Sequence, residues 1–263
     1  MTLAEELVEA RERRHCVTPP TGRERAFSLG DGYAVAEEVA RRWQAAGHRM
    51  AGIKIGLTNA SIWDRLGIDA PVWGPLYSEH VLDATIASPD DPVSFPLAPL
   101  IAPRIEAEIV VELAAALGPG ADPETIAASI AWAALGFEFV DCHYADWALT
   151  PPDLVADFCA HAGLVIGLPS VLTPDQLLTL DQVPVALHAD GSVVCAGSGE
   201  RVAGGPLHAI AAVLAAPHAP TLPAGALIAT GALTGGAHPV VGAQHWHIEP
   251  GRPLFTPLSV RTV

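Results

Sequence analysis

From Ala51 onward, apolar residues fall in short alternating or continuous runs cut by glycine and proline, a pattern that strands accept and long helices do not. The clearest runs are Ile105 to Leu113, Phe137 to Asp141, Leu164 to Leu168, Val183 to His188 and Ala226 to Thr230. With 24 glycines and 24 prolines in 263 residues, breakers recur often enough to predict a β-rich body. Two helices are expected to interrupt it. Asp122-Pro123-Glu124 supplies a cap, a first-turn proline and an acidic first turn ahead of Ile126 and Ile130, and Pro206 opens a second stretch through Ala216. Pro89 to Pro103, with prolines at 89, 92, 96, 99 and 103, is expected to run extended over the surface.

The first fifty residues read differently. Residues 2 to 15, rich in Glu and Arg, predict an exposed helix; Asp31 begins a second, with Val35, Val39 and Trp43 at every fourth position until Gly47 stops it. The expected organisation is a helical N-terminal region, 1–50, followed by a β-rich domain, 51–263, together an α+β fold. Half the residues are apolar, enough for a sizeable core. A net charge of −15 without a basic run would repel a phosphate backbone, so nucleic acid is excluded as a partner. No apolar run reaches membrane-spanning length and the first residues are acidic, so no membrane association and a cytoplasmic location are expected. Cys16, Cys142, Cys159 and Cys195 are scattered without a C-x-x-C pair and read as reduced, small apolar residues.

Lys54 is the only lysine, and it sits inside the strand-like run Ala51-Gly52-Ile53-Lys54-Ile55-Gly56-Leu57. Arginine fills the other cationic positions. Of the two side chains only lysine loses its proton readily, which makes Lys54 a candidate for proton transfer. The competing reading is a lysine snorkelling from a sheet edge.

In Pro103-Arg104-Ile105-Glu106-Ala107-Glu108-Ile109-Val110-Val111-Glu112, strand alternation sends Ile105, Ala107, Ile109 and Val111 to one face and Glu106, Glu108 and Glu112 to the other. Same-face carboxylates roughly 7 Å apart repel unless water or a cation lies between them. Glu138 lies in an apolar run, Ala133 to Val140, and a buried acid needs a cation, an arginine or a metal. Three carboxylates without a thiolate define a hard oxygen site, suited to Mg²⁺ or Mn²⁺.

Lys54-Ile55-Gly56-Leu57-Thr58, Pro103 to Glu108, and Glu138 followed by Val140-Asp141 and Asp146-Trp147 together resemble the 2-keto-4-pentenoate hydratases of aromatic meta-cleavage pathways and their sister 4-oxalocrotonate decarboxylases. Val155-Ala156-Asp157, Gly197-Ser198-Gly199 before Gly205-Pro206-Leu207, and Thr230-Gly231-Ala232 extend the similarity over nearly the whole chain. The resemblance implies a fumarylacetoacetase-like mixed β-barrel or roll. It also implies Glu106, Glu108 and Glu138 as Mg²⁺ or Mn²⁺ ligands, Lys54 near the substrate, and a homo-oligomer. The chain departs from the family pattern in three places: Cys142-His143 stand where Ser-Arg is usual, Asp157-Phe158-Cys159-Ala160 where Asp-Asn-Ala-Ser is usual, and Glu79-His80 where Asp-Met is usual. Glu79, His143, Asp157, Thr230 and Gly231 are the residues expected to bind substrate.

A metal held by three carboxylates can chelate a 2-oxo acid and stabilise the enolate left when the neighbouring carbon loses a proton. Ketonising a 2-hydroxy-dienoate such as 2-hydroxypenta-2,4-dienoate and adding water makes a hydratase; losing carbon dioxide makes a decarboxylase. Lys54, its pKa lowered by metal and burial, would shuttle the protons. An acylpyruvate hydrolase, with Glu79-His80 as its Glu-His pair, and a catalytically idle binding subunit are further alternatives. His238, His245 and His247 could suggest zinc but lack an accompanying carboxylate or cysteine at close spacing. The Gly204-Gly205 and Gly235-Gly236 pairs lack the residues of a phosphate loop, and no Gly-x-Ser-x-Gly elbow is present.

Overall fold

The computed structural model describes residues 1–23, 26–86 and 91–263. Pro89, where the proline-rich stretch was expected to begin, lies outside the described residues. The strands are β1 (Met50–Gly56), β2 (Val72–Tyr77), β3 (Val81–Asp83), β4 (Val93–Phe95), β5 (Arg104–Leu113), β6 (Ile130–Val140), β7 (His161–Ile166), β8 (Pro184–Ala189), β9 (Ser192–Ser198), β10 (Leu227–Ala232), β11 (His238–Pro239), β12 (His245–Pro250) and β13 (Leu258–Thr262). They form two curled sheets, giving the β-rich body that the apolar runs predict and the mixed α+β roll that the family resemblance implies. The larger runs β2-β1-β10-β5-β6-β7-β3 with β11 added beside β5; the smaller runs β4-β13-β12-β8-β9.

Most pairs are antiparallel, but β1 pairs parallel with β10, which places Lys54 against Ala229 on one side and Gly74 of β2 on the other. Alternation along β5 is as expected: Ile105, Ala107, Ile109 and Val111 are fully buried in the principal core. Phe95 of β4 stacks on Phe139 of β6 with ring centroids 3.6 Å apart, joining the two sheets across that core. The opposite face of β5 is not the solvated surface that acidic residues usually mark, because Glu108 is also fully buried. That burial needs compensation, and the site described below is where it must be found.

The helices correct the sequence expectations in detail. Leu3–Arg13 is not simply exposed: Ala4 and Leu7 pack in one cluster with Tyr77, Tyr144 and Phe158, and Ala10 is buried as well, while its Glu and Arg residues face outward or reach across to other elements. Leu29–Ala45 starts before Asp31, because Ser28 caps it and Asp31 closes the capping box as its third residue. Pro123–Ala128 ends at Ser129, so Ile130 opens β6 instead of continuing the helix. Pro206–Ala215 forms as the proline predicts. Among the described residues no helix is long and apolar enough to cross a membrane.

Candidate active site

Antiparallel register sets Glu106 of β5 directly opposite Glu138 of β6, with Glu108 two residues further along the same face. Like charges directly opposed on a sheet destabilise it, so this pairing has a cost that something must offset. Oxygen atoms of the three carboxylates come within 4.8 Å of one another, and this is the one such grouping of potential metal ligands among the described residues. Lys54 reaches in from β1. It is 3% exposed, and its Nζ lies 3.1 Å from Glu138 Oε2.

Further contacts orient each acid. Glu138 Oε1 is 2.9 Å from His161 Nδ1; an ionised Glu138 is the acceptor, which puts that ring proton on Nδ1. Glu108 Oε2 accepts from the Gly231 backbone N–H at 3.0 Å. Gly231 has φ +116°, and a Cβ there would come within 2.6 Å of the Thr58 side chain, so both conformation and space require glycine at this point. Thr230 donates its hydroxyl to Ile109 O at 2.8 Å, tying β10 to β5. Glu108 Oε1 nevertheless has no hydrogen-bond donor, and Glu138 Oε2 has only the Lys54 ammonium beside it.

Burial, with repulsion from Glu138 and Glu106, pushes the Glu108 carboxyl well above its usual range. Burial likewise lifts Glu106, to about 7, against the attraction of Lys54. For Glu138, burial works upward, but Lys54 and His161 outweigh it and hold the carboxyl below its ordinary value. For Lys54, burial pulls the amine down, yet the attraction of the Glu138 and Glu106 carboxylates prevails and raises it.

Lys54 and Glu106 line a cavity of about 270 Å³ whose other walls include Leu57, Ile62, Leu149, Arg104 and Trp147. Two of its wall segments have unusual backbones. Phe158, Cys159 and Ala160 all take left-handed φ values of 53°, 53° and 58°, and Asp146 and Trp147 take 56° and 57°. Each such residue costs roughly 1–2 kcal/mol, so the surroundings must impose the shape. Arg11 does so for the first segment: its guanidinium donates to Asp157 O, to Asp157 Oδ1 and to His161 O, bracketing the turn from both ends.

The cavity does not gather all the residues expected to bind substrate. Asp157 is 3% exposed and bonds Arg11 and the backbone and ring of His143. His143 and Glu79 border a second cavity of about 420 Å³, together with Arg11, Trp43 and His80. There Glu79 pairs with His48 instead of forming a Glu-His unit with its neighbour His80. Thr230 and Gly231 stand behind the carboxylates. At the replaced positions, Cys142 and Phe158 are buried, whereas Cys159 and Ala160 line the Lys54 cavity. His247 bonds Ser259 and Glu249.

Sequence reasoning missed His161 and Arg11. The first was visible only as a lone histidine ahead of an apolar run, and its pairing with Glu138 depends on register. The second was hidden by the acidic and basic character of its helix.

A family model for the fumarylacetoacetate (FAA) hydrolase C-terminal region matches residues 69–253. Among curated relatives, a 2-hydroxypent-2,4-dienoate hydratase of Pseudomonas putida is 31% identical over 210 residues, covering 80% of this chain and 91% of that protein. A 4-oxalocrotonate decarboxylase of Pseudomonas putida is 29% identical over 237 residues, covering 89% and 86%. Among solved structures, 4-oxalocrotonate decarboxylase from Pseudomonas putida G7, complexed with magnesium and adipate, superposes with a TM-score of 0.89 at 28% identity, over 99% of this chain and 96% of that one.

Proposed function

Because the chain belongs to the fumarylacetoacetate hydrolase family, we propose that it is a divalent-metal-dependent lyase acting on a small 2-hydroxy-dienoic or unsaturated 2-oxo acid, with hydration as its reaction. The observation that carries this reading is the surplus of buried carboxyl groups: three clustered carboxylates against one lysine, with Glu108 Oε1 lacking any donor. A divalent cation fits that surplus, and an all-oxygen donor set suits Mg²⁺ or Mn²⁺. Glu106, Glu108 and Glu138 would hold it. Bound there, it would supply Lewis-acid polarisation of the keto and carboxylate oxygens of a 2-oxo acid.

The chain's own groups supply the rest. Lys54 Nζ stands at the cavity wall beside Glu138, where it can hold the proton that must move between oxygen and carbon when a dienol becomes a ketone. His161 fixes Glu138 from behind, and Gly231 fixes Glu108. The apolar walls limit the cavity to a small substrate.

Decarboxylation is a second reading, favoured by the 4-oxalocrotonate decarboxylase structure that matches nearly the full chain. Incubation with 2-hydroxypenta-2,4-dienoate and with 4-oxalocrotonate, followed by proton NMR, separates the two through a hydroxylated product or loss of carbon dioxide. Activity is expected to vanish in EDTA and return with Mg²⁺ or Mn²⁺. Turnover indifferent to the chelator would overturn the proposal.

A further inference from the structure

We propose that Thr58 and Asn59 hold the water molecule that is added to the substrate, so that these two positioning residues govern hydration but not the proton transfer that precedes it. This deepens the proposed function and rests on its reading of the reaction as a hydration. It adds where the water is kept.

Lys54 lies in β1, and the strand ends two residues later at Gly56. Leu57 then takes a left-handed φ of 56°, which breaks the alternation that sends neighbouring side chains of a strand to opposite faces. Thr58 and Asn59, adjacent in sequence, therefore both border the Lys54 cavity. The turn that carries them is held at three points. Leu57 O accepts the Trp63 indole N–H at 2.7 Å, and Thr58 O accepts the Ala203 N–H at 2.8 Å. Asn59 Oδ1 accepts the Ser61 N–H at 3.1 Å and the Ser61 hydroxyl at 2.7 Å.

Two side-chain groups are left over. The Ser61 N–H can bond only to an oxygen, which fixes the Asn59 amide with Nδ2 as its free end. Among the described residues neither Asn59 Nδ2 nor the Thr58 hydroxyl has a hydrogen-bond partner. Thr58 is 6% exposed, and a hydroxyl buried to that degree needs a partner. It also stands beside the acid cluster: Gly231 holds Glu108 through its N–H, and a Cβ on Gly231 would come within 2.6 Å of Thr58 Oγ1. The pair is uncharged, a hydroxyl that donates and accepts next to an amide that donates, and so complements a molecule that does both. A held water needs at least two polar partners, and in this turn the neighbouring Leu57 and Ile62 side chains offer none.

In the step they serve, the water oxygen bonds to C4 of the conjugated 2-oxo acid. The C3=C4 electron pair moves toward the keto oxygen, and C3 takes up a proton as the ketone re-forms. The proton lost by the water matches the one gained at C3, so no co-reactant is consumed.

The test uses the whole protein loaded with Mg²⁺ and two proton NMR assays. One follows 2-hydroxypenta-2,4-dienoate to its hydrated product. The other follows exchange of the C3 hydrogens of 2-oxopentanoate in D₂O, which needs proton transfer at C3 but offers no double bond to hydrate. Thr58→Val, which keeps the side chain's shape, is expected to slow hydration at least about tenfold, as befits one lost hydrogen bond, and to leave C3 exchange within about twofold. Thr58→Ser should restore most of the hydration rate, and Asn59→Ala should behave as Thr58→Val does. Hydration at the wild-type rate in Thr58→Val, or hydration and exchange lost in equal proportion, overturns the proposal and leaves the pair as mere structure of the turn. Should Asn59→Ala unfold for want of its Ser61 contacts, the two Thr58 variants decide. A wild type that exchanges C3 but yields no hydrated product removes the hydration reading and this inference with it; wild-type hydration that survives Thr58→Val undiminished sinks the inference alone.

Discussion

Two buried ionic clusters lie within the same fold, and they are built on opposite principles. Around Asp157 the charges balance: Arg11 and His143 bond its carboxylate, and both oxygens have partners. Around Glu138 they do not, since one lysine faces three acids and Glu108 Oε1 lacks a donor. A saturated cluster holds the chain in shape; an unsaturated one has capacity left for a ligand. The difference also separates two kinds of expected substrate-binding residue. Asp157 and His143 are occupied with each other and with Arg11, whereas Glu106 opens onto the cavity with Lys54.

The contrast can be broken by substitution. Lys54→Arg should give the largest effect, a loss of at least about a hundredfold in turnover with folding and Mg²⁺ binding retained, because a guanidinium keeps its proton. Steady-state kinetics beside a metal titration checks this, and wild-type rates would return Lys54 to a snorkelling role. Arg11→Met should act on stability instead, costing about 3–5 kcal/mol in urea unfolding, since it leaves a buried carboxylate short of its principal cation. The same variant has a pH signature. Burial works to raise the Asp157 carboxyl, but Arg11 and His143 prevail and hold it below the ordinary aspartate value of 3.8. A depressed carboxyl stabilises the fold above its unfolded pKa and loses that contribution as pH falls through the folded one. The wild type therefore keeps it until the medium is more acidic than about 3.8, and Arg11→Met should begin to lose stability at higher pH. The smallest and most pointed effect is Glu108→Gln: removing one of three repelling acids should leave metal-free stability unchanged or raise it by about 1 kcal/mol, while weakening Mg²⁺ affinity by about tenfold or more. A drop in metal-free stability as large as that of Arg11→Met would erase the distinction between the clusters.

Much of this was legible in the chain. The alternation along Ile105 to Leu113 is a period-two signal that survives any tertiary context, and Glu138 inside an apolar run announces a buried acid needing a partner. Lys54 stood out because arginine replaced it everywhere else. What stayed hidden depends on register and on long-range contacts. His161 meets Glu138 only because β7 lies beside β6 with an irregularity between Phe139 and Val140. Arg11 crosses to a turn about 150 residues away, and a helix of mixed charge gives no sign of that. Glu79 reads as a carboxylate near the right motif, yet the short turn that carries it faces His48 and the second cavity.

Arg11 grips the carbonyls on either side of Phe158-Cys159-Ala160, and Cys159 and Ala160 are cavity wall. The first helix of the chain is thereby a lever on a chamber it never touches. A shift in how Leu3–Arg13 seats on Tyr77 and Phe158 would be transmitted as a change in the chamber's width. Selectivity could then be altered from the outside of the molecule, by residues that no inventory of cavity-lining positions would include.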